Sequence, residues 1–140
     1  MDILCVGEIL VDFIGAQFGK TIATTESYNR FLGGSTSNLA FNANTIGLSV
    51  DLVASVGDDG LGQYLLDELN VFGLSTAHIT KVPNQPTSLI FVSRSNETPD
   101  VVPVRVSDKH ISDLQISDFT INNATVFHNS CFALSQEPAR

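Results

Sequence analysis

Gly33-Gly34-Ser35-Thr36-Ser37-Asn38 gathers two glycines, three hydroxyls and an amide into six residues. These types suit the binding of a small hydroxylated molecule. Glycines let the backbone approach a ligand with no Cβ in the way. An asparagine amide donates and accepts, as a hydroxyl does. The same residues also suit a tight turn before a helix whose asparagine bonds local backbone. Asp12 closes an apolar run, and its carboxylate can accept hydrogen bonds from two hydroxyls; it also suits a helix cap or a solvated strand end. Arg105, in a valine-rich stretch, can reach the far end of a ligand or stand exposed in solvent. Phe91 can cover an apolar ligand face, though a place among packed side chains suits it better. Asp58 and Asp59 are adjacent carboxylates with no third ligand, so they read as cap and turn residues and no metal site is expected. His128 reads as a core histidine at the end of an apolar strand.

The elements that would carry these residues alternate in type. Ile3 to Ile14 is nearly continuous apolar sequence, interrupted at Gly7-Glu8 and Asp12, and predicts a strand buried on both faces with Asp12 at its end. Ligands of parallel sheets collect outside such strand ends. Residues 15–32 are more polar and predict short strands or a loop. Leu39, Ala43 and Ile46 share a helical face that Gly47 stops. Val50 to Val56 predicts a second buried strand. Asp58 or Asp59 caps a second helix lined by Leu61, Leu65, Leu69 and Phe72 and ended by Gly73. A short strand follows near His78-Ile79-Thr80. Thr87 to Ser93 and Val101 to Val106 predict two strands of a small sheet, joined by a turn over residues 95–99. Pro103 makes the second of them an edge. Ala124 to His128 returns to a buried strand. The expected class is α/β: a mainly parallel, Rossmann-like sheet flanked by helices, with a small β-sheet lid near 15–32 and 87–106.

The 140 residues are one domain by length, 43% hydrophobic and 16% charged. A net charge of −8 argues against a nucleic-acid or anionic-membrane partner. No apolar run approaches the roughly 20 residues of a membrane span. The N-terminus has no basic region before its apolar run, so no signal peptide is expected. Cys5 and Cys131 lie in apolar runs without metal spacing and read as buried thiols in a reducing cytoplasm. Ser135 suits an N-cap with Pro138 in the first turn, and a chain stopping about one turn into a helix reads as a piece of a larger domain.

Gly33-Gly34-x-x-x-Asn38-x-Ala40, six residues to Gly47 and nine more to Gly57, resembles the first signature of the PfkB (ribokinase-like) carbohydrate kinases. Gly7-Glu8-Ile9-Leu10-Val11-Asp12, Val56-Gly57-Asp58-Asp59-x-x-Gly62 and Phe72-Gly73-Leu74-Ser75-Thr76 resemble further family blocks in the same order. Arg105 resembles the lid arginine, with Val104 where the family has tyrosine. The resemblance covers essentially the whole chain, residues 1–140, as the N-terminal part of one ribokinase-like domain. It implies ATP-dependent phosphorylation of a sugar hydroxyl with Mg²⁺, the sugar being held by Asp12, Gly33, Gly34, Asn38 and Arg105. It also implies a homodimer through the lid. The family's Gly-Ala-Gly-Asp segment is absent, so the catalytic aspartate and most ATP-binding residues are expected beyond Arg140, and this chain alone is expected to be inactive. Gly7-Glu8-x-x-x-Asp12 with a lid arginine resembles fructokinases and 2-keto-3-deoxygluconate kinases more than ribokinases, which usually carry lysine where Ser35 stands. A non-catalytic sugar-binding or dimerisation module made of a truncated kinase fold is the alternative expectation.

Overall fold

The computed structural model describes residues 1–95 and 97–140, leaving out the side chain of Phe119; Asn96, within the expected 95–99 turn, lies outside the described residues. Two four-stranded sheets form. The first is wholly parallel and contains β1 (Ile3–Val6), β4 (Val50–Gly57), β5 (Ile79–Val82) and β8 (Val126–Asn129) in the order β5-β4-β1-β8. The second contains β2 (Leu10–Phe18), β3 (Tyr28–Gly33), β6 (Leu89–Arg94) and β7 (Val101–Val104) in the order β3-β2-β6-β7. Its central pair β2–β6 is parallel, and both outer pairs are antiparallel. Pro103 lies on edge strand β7, where its missing N–H costs no ladder bond.

Strand alternation divides the core. Cys5, Leu52, Ala54 and Val56 face α1 (Ser35–Thr45) and α2 (Gly60–Val71) together with Leu65 and Leu69. Each fully buried leucine contributes on the order of 1.5–3 kcal/mol. Leu4, Val6 and Val53 face the other way and pack under Ile111 and Ala133, with Ile116 and Ala124 at the margin. The short α3 (Asp118–Asn122) precedes β8.

Several expectations are corrected. The run from Ile3 to Ile14 is two strands in two sheets, so Asp12 lies inside β2 and not at the end of the first strand. Both strands are buried, which hides the break from hydropathy. The chain leaves the first sheet at Gly7, where a Cβ would stand 2.1 Å from Thr36 Oγ1. The second sheet therefore begins at Leu10 and includes more than residues 15–32 and 87–106. The inner face of α1 is Thr36, Ser37, Ala40 and Ala43, small residues that let the helix approach β1 and β4, while Leu39 and Ile46 are exposed. Phe72 caps α2 from outside, meeting Phe41 edge-on with ring centroids 4.5 Å apart. Edge strand β8 is half exposed at Val126 and Phe127, and Cys131 is exposed just beyond it. Ser135 ends a 3₁₀ turn over Ala133–Ser135 and starts no helix; Gln136 after it is extended.

The two sheets meet along a seam tied by buried polar groups. Asp59 caps α2 by accepting Gly62 N–H at 2.8 Å, and it also accepts Thr87 N–H at 2.8 Å and Thr87 Oγ–H at 2.6 Å just before β6. Burial raises the pKa of Asp59, but these donors outweigh it and hold the carboxyl below its ordinary value. Fully buried Asp108 accepts Ser88 Oγ–H at 2.6 Å, and Ser88 Oγ in turn accepts the N–H groups of Val106 and Asp108. Arg30 on β3 lays its guanidinium 3.7 Å above the Tyr64 ring of α2.

Candidate functional site

The crossings from β1 to β2 and from β3 to α1 bring the residues of interest together. Glu8, Leu10, Asp12, Gly34, Ser35, Asn38, Ile90 and Phe132 enclose an open cavity of about 340 Å³. It lies between the two sheets, beyond the carboxyl ends of β1 and β8.

Asp12 reaches this cavity from β2, opposite Phe31 of β3 and beside Ile90 of β6. Its carboxylate is half buried and takes no hydrogen bond from any described residue. Burial raises its pKa above the ordinary value. Gly33 is not in the cavity wall. It gives Asp12 room: a Cβ on Gly33 would stand 2.4 Å from Asp12 Cγ and Oδ2. Gly34 is in the wall, with φ 109° and ψ 135°. Side chains rarely adopt that backbone, and a Cβ there would stand 2.5 Å from the Glu8 carbonyl oxygen. Asn38 sits in the first turn of α1. Its backbone carbonyl accepts Asn42 Nδ2–H, while its own amide has no partner among the described residues. The cavity thus offers one acceptor-only group and one donor–acceptor group, both without a partner among the described residues, and a close backbone approach. Asn38 also borders a second, more apolar cavity of about 470 Å³ between β3, α1 and α2.

Arg105 does not reach the wall. Its Nε and Nη2 donate to Asp108 Oδ2 at 2.9 and 2.6 Å, and Nη1 donates to Ser135 Oγ at 2.8 Å. Its guanidinium lies 3.9 Å over the ring of Phe132, so Phe132 stands between this arginine and the cavity. Phe91 is packed within the second sheet, stacked on Phe13 at 5.4 Å and edge-on to Tyr28 at 5.1 Å. His128 pairs with Cys5 across β1–β8 and does not line the cavity. Asp59 is a helix cap, and exposed Asp58 lies 3.8 Å from Lys81 Nζ.

Five wall residues were not assigned to the ligand from sequence: Glu8, Leu10, Ser35, Ile90 and Phe132. Glu8 is 2% exposed. Its Oε1 accepts Ser35 N–H at 2.7 Å and Ser35 Oγ–H at 2.5 Å, and its Oε2 accepts Ser130 Oγ–H. Burial raises its pKa, but the donors from Ser130 and Ser35 prevail and hold it below the ordinary value. A carboxylate inside an otherwise apolar run was the available signal, because such a group must find partners when buried.

The residues lining this cavity do not fit a nucleotide phosphate or its metal. No cation lines the cavity, and no group of three His, Cys, Asp or Glu side chains among the described residues is placed to hold an ion.

A parallel layer with a second sheet set over a cavity at its strand ends defines a ribokinase-like α/β fold. The chain belongs to the pfkB family of carbohydrate kinases, whose family model matches residues 1–137. It is 33% identical over 139 residues to an ATP-dependent 6-phosphofructokinase of Thermoanaerobacterium thermosaccharolyticum, covering 99% of this chain and 42% of the relative. A fructokinase structure from Halothermothrix orenii superposes with TM-score 0.89 at 36% identity, covering all of this chain and 50% of that one. An uncharacterized sugar kinase from Pyrococcus horikoshii, solved in complex with ATP, superposes with TM-score 0.91 at 24% identity over 99% of this chain and 46% of its own, and supports the fold. The chain therefore spans about half the length of these relatives.

Proposed function

We propose that this chain is the sugar-holding part of an ATP-dependent carbohydrate kinase whose substrate is a neutral, fructose-like keto sugar. The observation that carries this is the meeting of Asp12, Gly34 and Asn38 on one cavity, with both side chains unpartnered among the described residues. Asp12 accepts from sugar hydroxyls, Asn38 both donates and accepts, and Gly34 lets the backbone approach. Phosphoryl transfer needs its reactants positioned more than it needs covalent help from the protein. In the reaction a sugar hydroxyl oxygen attacks the γ-phosphorus, the bond to the β-phosphate oxygen breaks, and ADP leaves. The hydroxyl proton passes to an aspartate expected beyond Arg140. ATP and Mg²⁺ are assigned to residues outside this chain.

The named activities of the fructokinase and 6-phosphofructokinase relatives support a fructose-type skeleton, and the fructokinase the neutral form of it. Neutrality is supported by this cavity's wall, which holds no cation, and by the engagement of Arg105 with Asp108. The second sheet carries exposed Phe18, Phe31, Val101, Val102 and Val104 and two unpaired edges, which suit a lid-to-lid homodimer. A monomer on sedimentation of the intact gene product would refute that pairing.

The test is ADP release by the intact gene product with fructose, fructose 6-phosphate, 2-keto-3-deoxygluconate and ribose. Turnover of fructose is expected. Turnover of ribose alone would overturn the keto-sugar reading, and preference for either anionic substrate would overturn neutrality. Sugar binding without ADP release would mark a binding module in place of an enzyme.

A further inference from the structure

Glu8 lies in the cavity wall, yet protein donors occupy both of its oxygens. It follows β1, Ser35 opens α1 and Ser130 follows β8, so one carboxylate joins three chain segments. Its backbone carbonyl also fills the space where a Cβ on Gly34 would project. Glu8 therefore touches Gly34 through its backbone and Ser35 through its side chain. Gly34 supplies no side-chain cap to α1, and the Glu8 carboxylate takes that place at the positive end of the helix. Three donors offset the cost of burying it.

Asn38 stands about one turn further along the same helix. Its amide has no protein partner among the described residues, so the start of α1 sets its direction. Asp12 approaches from the second sheet. The relation between Asn38 and Asp12 thus depends on how the first turn of α1 is seated, and Glu8 holds that turn. We infer that Glu8 is a positioning residue for sugar recognition: by fixing the Gly34–Ser35 turn it aims the Asn38 amide and the Gly34 backbone at the ligand held by Asp12. This rests on the sugar-site reading above.

The hydrogen bonds suggest a conservative replacement. In Glu8→Gln the amide oxygen still accepts from Ser35, and the amide N–H can donate to Ser130 Oγ, whose hydroxyl turns to accept. Glu8→Ala removes every side-chain tie and keeps only the backbone contact with Gly34.

The experiment is calorimetric titration of fructose into the intact gene product: unmodified, Glu8→Gln, Glu8→Ala, Asn38→Ala and the Glu8→Ala/Asn38→Ala double variant, with urea unfolding in parallel. Glu8→Gln is expected to hold affinity within about threefold, and Glu8→Ala to lose about tenfold or more. The double variant is expected to lose little beyond the larger single loss, because both changes act through one amide. A folded Glu8→Ala that binds as the unmodified protein does would overturn the inference. So would losses that add fully, or a Gln variant as weak as Ala, because lost stability alone does not couple to Asn38 or return with Gln. If Glu8→Ala does not fold, Ser35→Ala removes one donor while keeping the backbone tie, and a loss that does not add to that of Asn38→Ala is again expected. Failure of the unmodified protein to bind any keto sugar would instead overturn the site reading itself.

Discussion

Gly33→Ala is a one-carbon change aimed at a neighbour. The added Cβ would stand 2.4 Å from the Asp12 carboxylate, against 3.4 Å or more for an ordinary contact, a shortfall of about 1 Å. Gly33 ends β3 opposite Leu10, so its backbone is held in the ladder and the side chain of Asp12 must yield. Asp12 is half buried and unpartnered among the described residues, so turning away costs little folding energy, within about 1–3 kcal/mol for overpacking. The cost to the ligand is of the same order. Withdrawing the carboxylate leaves ligand hydroxyls without their acceptor and costs about 1–3 kcal/mol of sugar affinity. At about 1.4 kcal/mol per tenfold this is about 5- to 150-fold. Fructose titration of Gly33→Ala, Asp12→Ala and the double variant separates the effects. The double variant is expected to bind no worse than Asp12→Ala alone, since the methyl group then has nothing to displace. Full additivity of the two losses, or unchanged affinity in Gly33→Ala, would refute this account of why Gly33 lacks a side chain.

Two further changes test the electrostatics. Burial raises the pKa of Asp12 above its ordinary 3.8, so the folded chain binds this proton more tightly than the unfolded chain does. Stability from this group is fully present below 3.8 and is lost as pH rises through the folded value. Asp12→Asn should therefore melt above the unmodified protein at neutral pH, with the difference shrinking on acidification and sugar binding lost; equal melting temperatures across that range would refute the sign. Asp108→Ala removes the carboxylate that holds Arg105, whose side chain is 8% exposed, and should cost about 3–5 kcal/mol in urea unfolding. A loss below about 1 kcal/mol would show that the guanidinium finds solvent or another partner.

Part of the candidate cavity was legible because it is local. Gly34 and Asn38 belong to one turn and the helix it opens, and their residue types announce a close approach and a free amide. Asp12 was legible as a carboxylate in apolar surroundings, but its place in the second sheet was not. Strands buried in different sheets look alike in hydropathy, and Gly7 shows its purpose only once Thr36 is packed against it. Glu8 was illegible as a cavity residue because its partners lie 27 and 122 residues away. The engagement of Arg105 was not announced by its surroundings either. A lone arginine in a valine-rich stretch suits a ligand, but a buried partner three residues on, together with Ser135, engages it first. The small residues of α1 also outweighed its larger ones: Ala40 and Ala43 face the sheet where Leu39 and Ile46 fit the helical period equally well.

The seam also governs how the chain can change over generations. Glu8, Asp59 and Asp108 each join segments that cross between the sheets, and each depends on a serine or threonine hydroxyl, with backbone N–H groups beside it for Glu8 and Asp59 and the Arg105 guanidinium for Asp108. Loss of Ser88 alone would strip Asp108 of a donor, and loss of Thr87 would do the same to Asp59. Such positions are open to paired exchange and closed to single drift. Ile90 and Phe132 line the cavity without being donors or acceptors in these ties. A lineage can therefore reshape its ligand by repainting the cavity wall while the joinery behind it stays fixed, and one frame can serve many sugars.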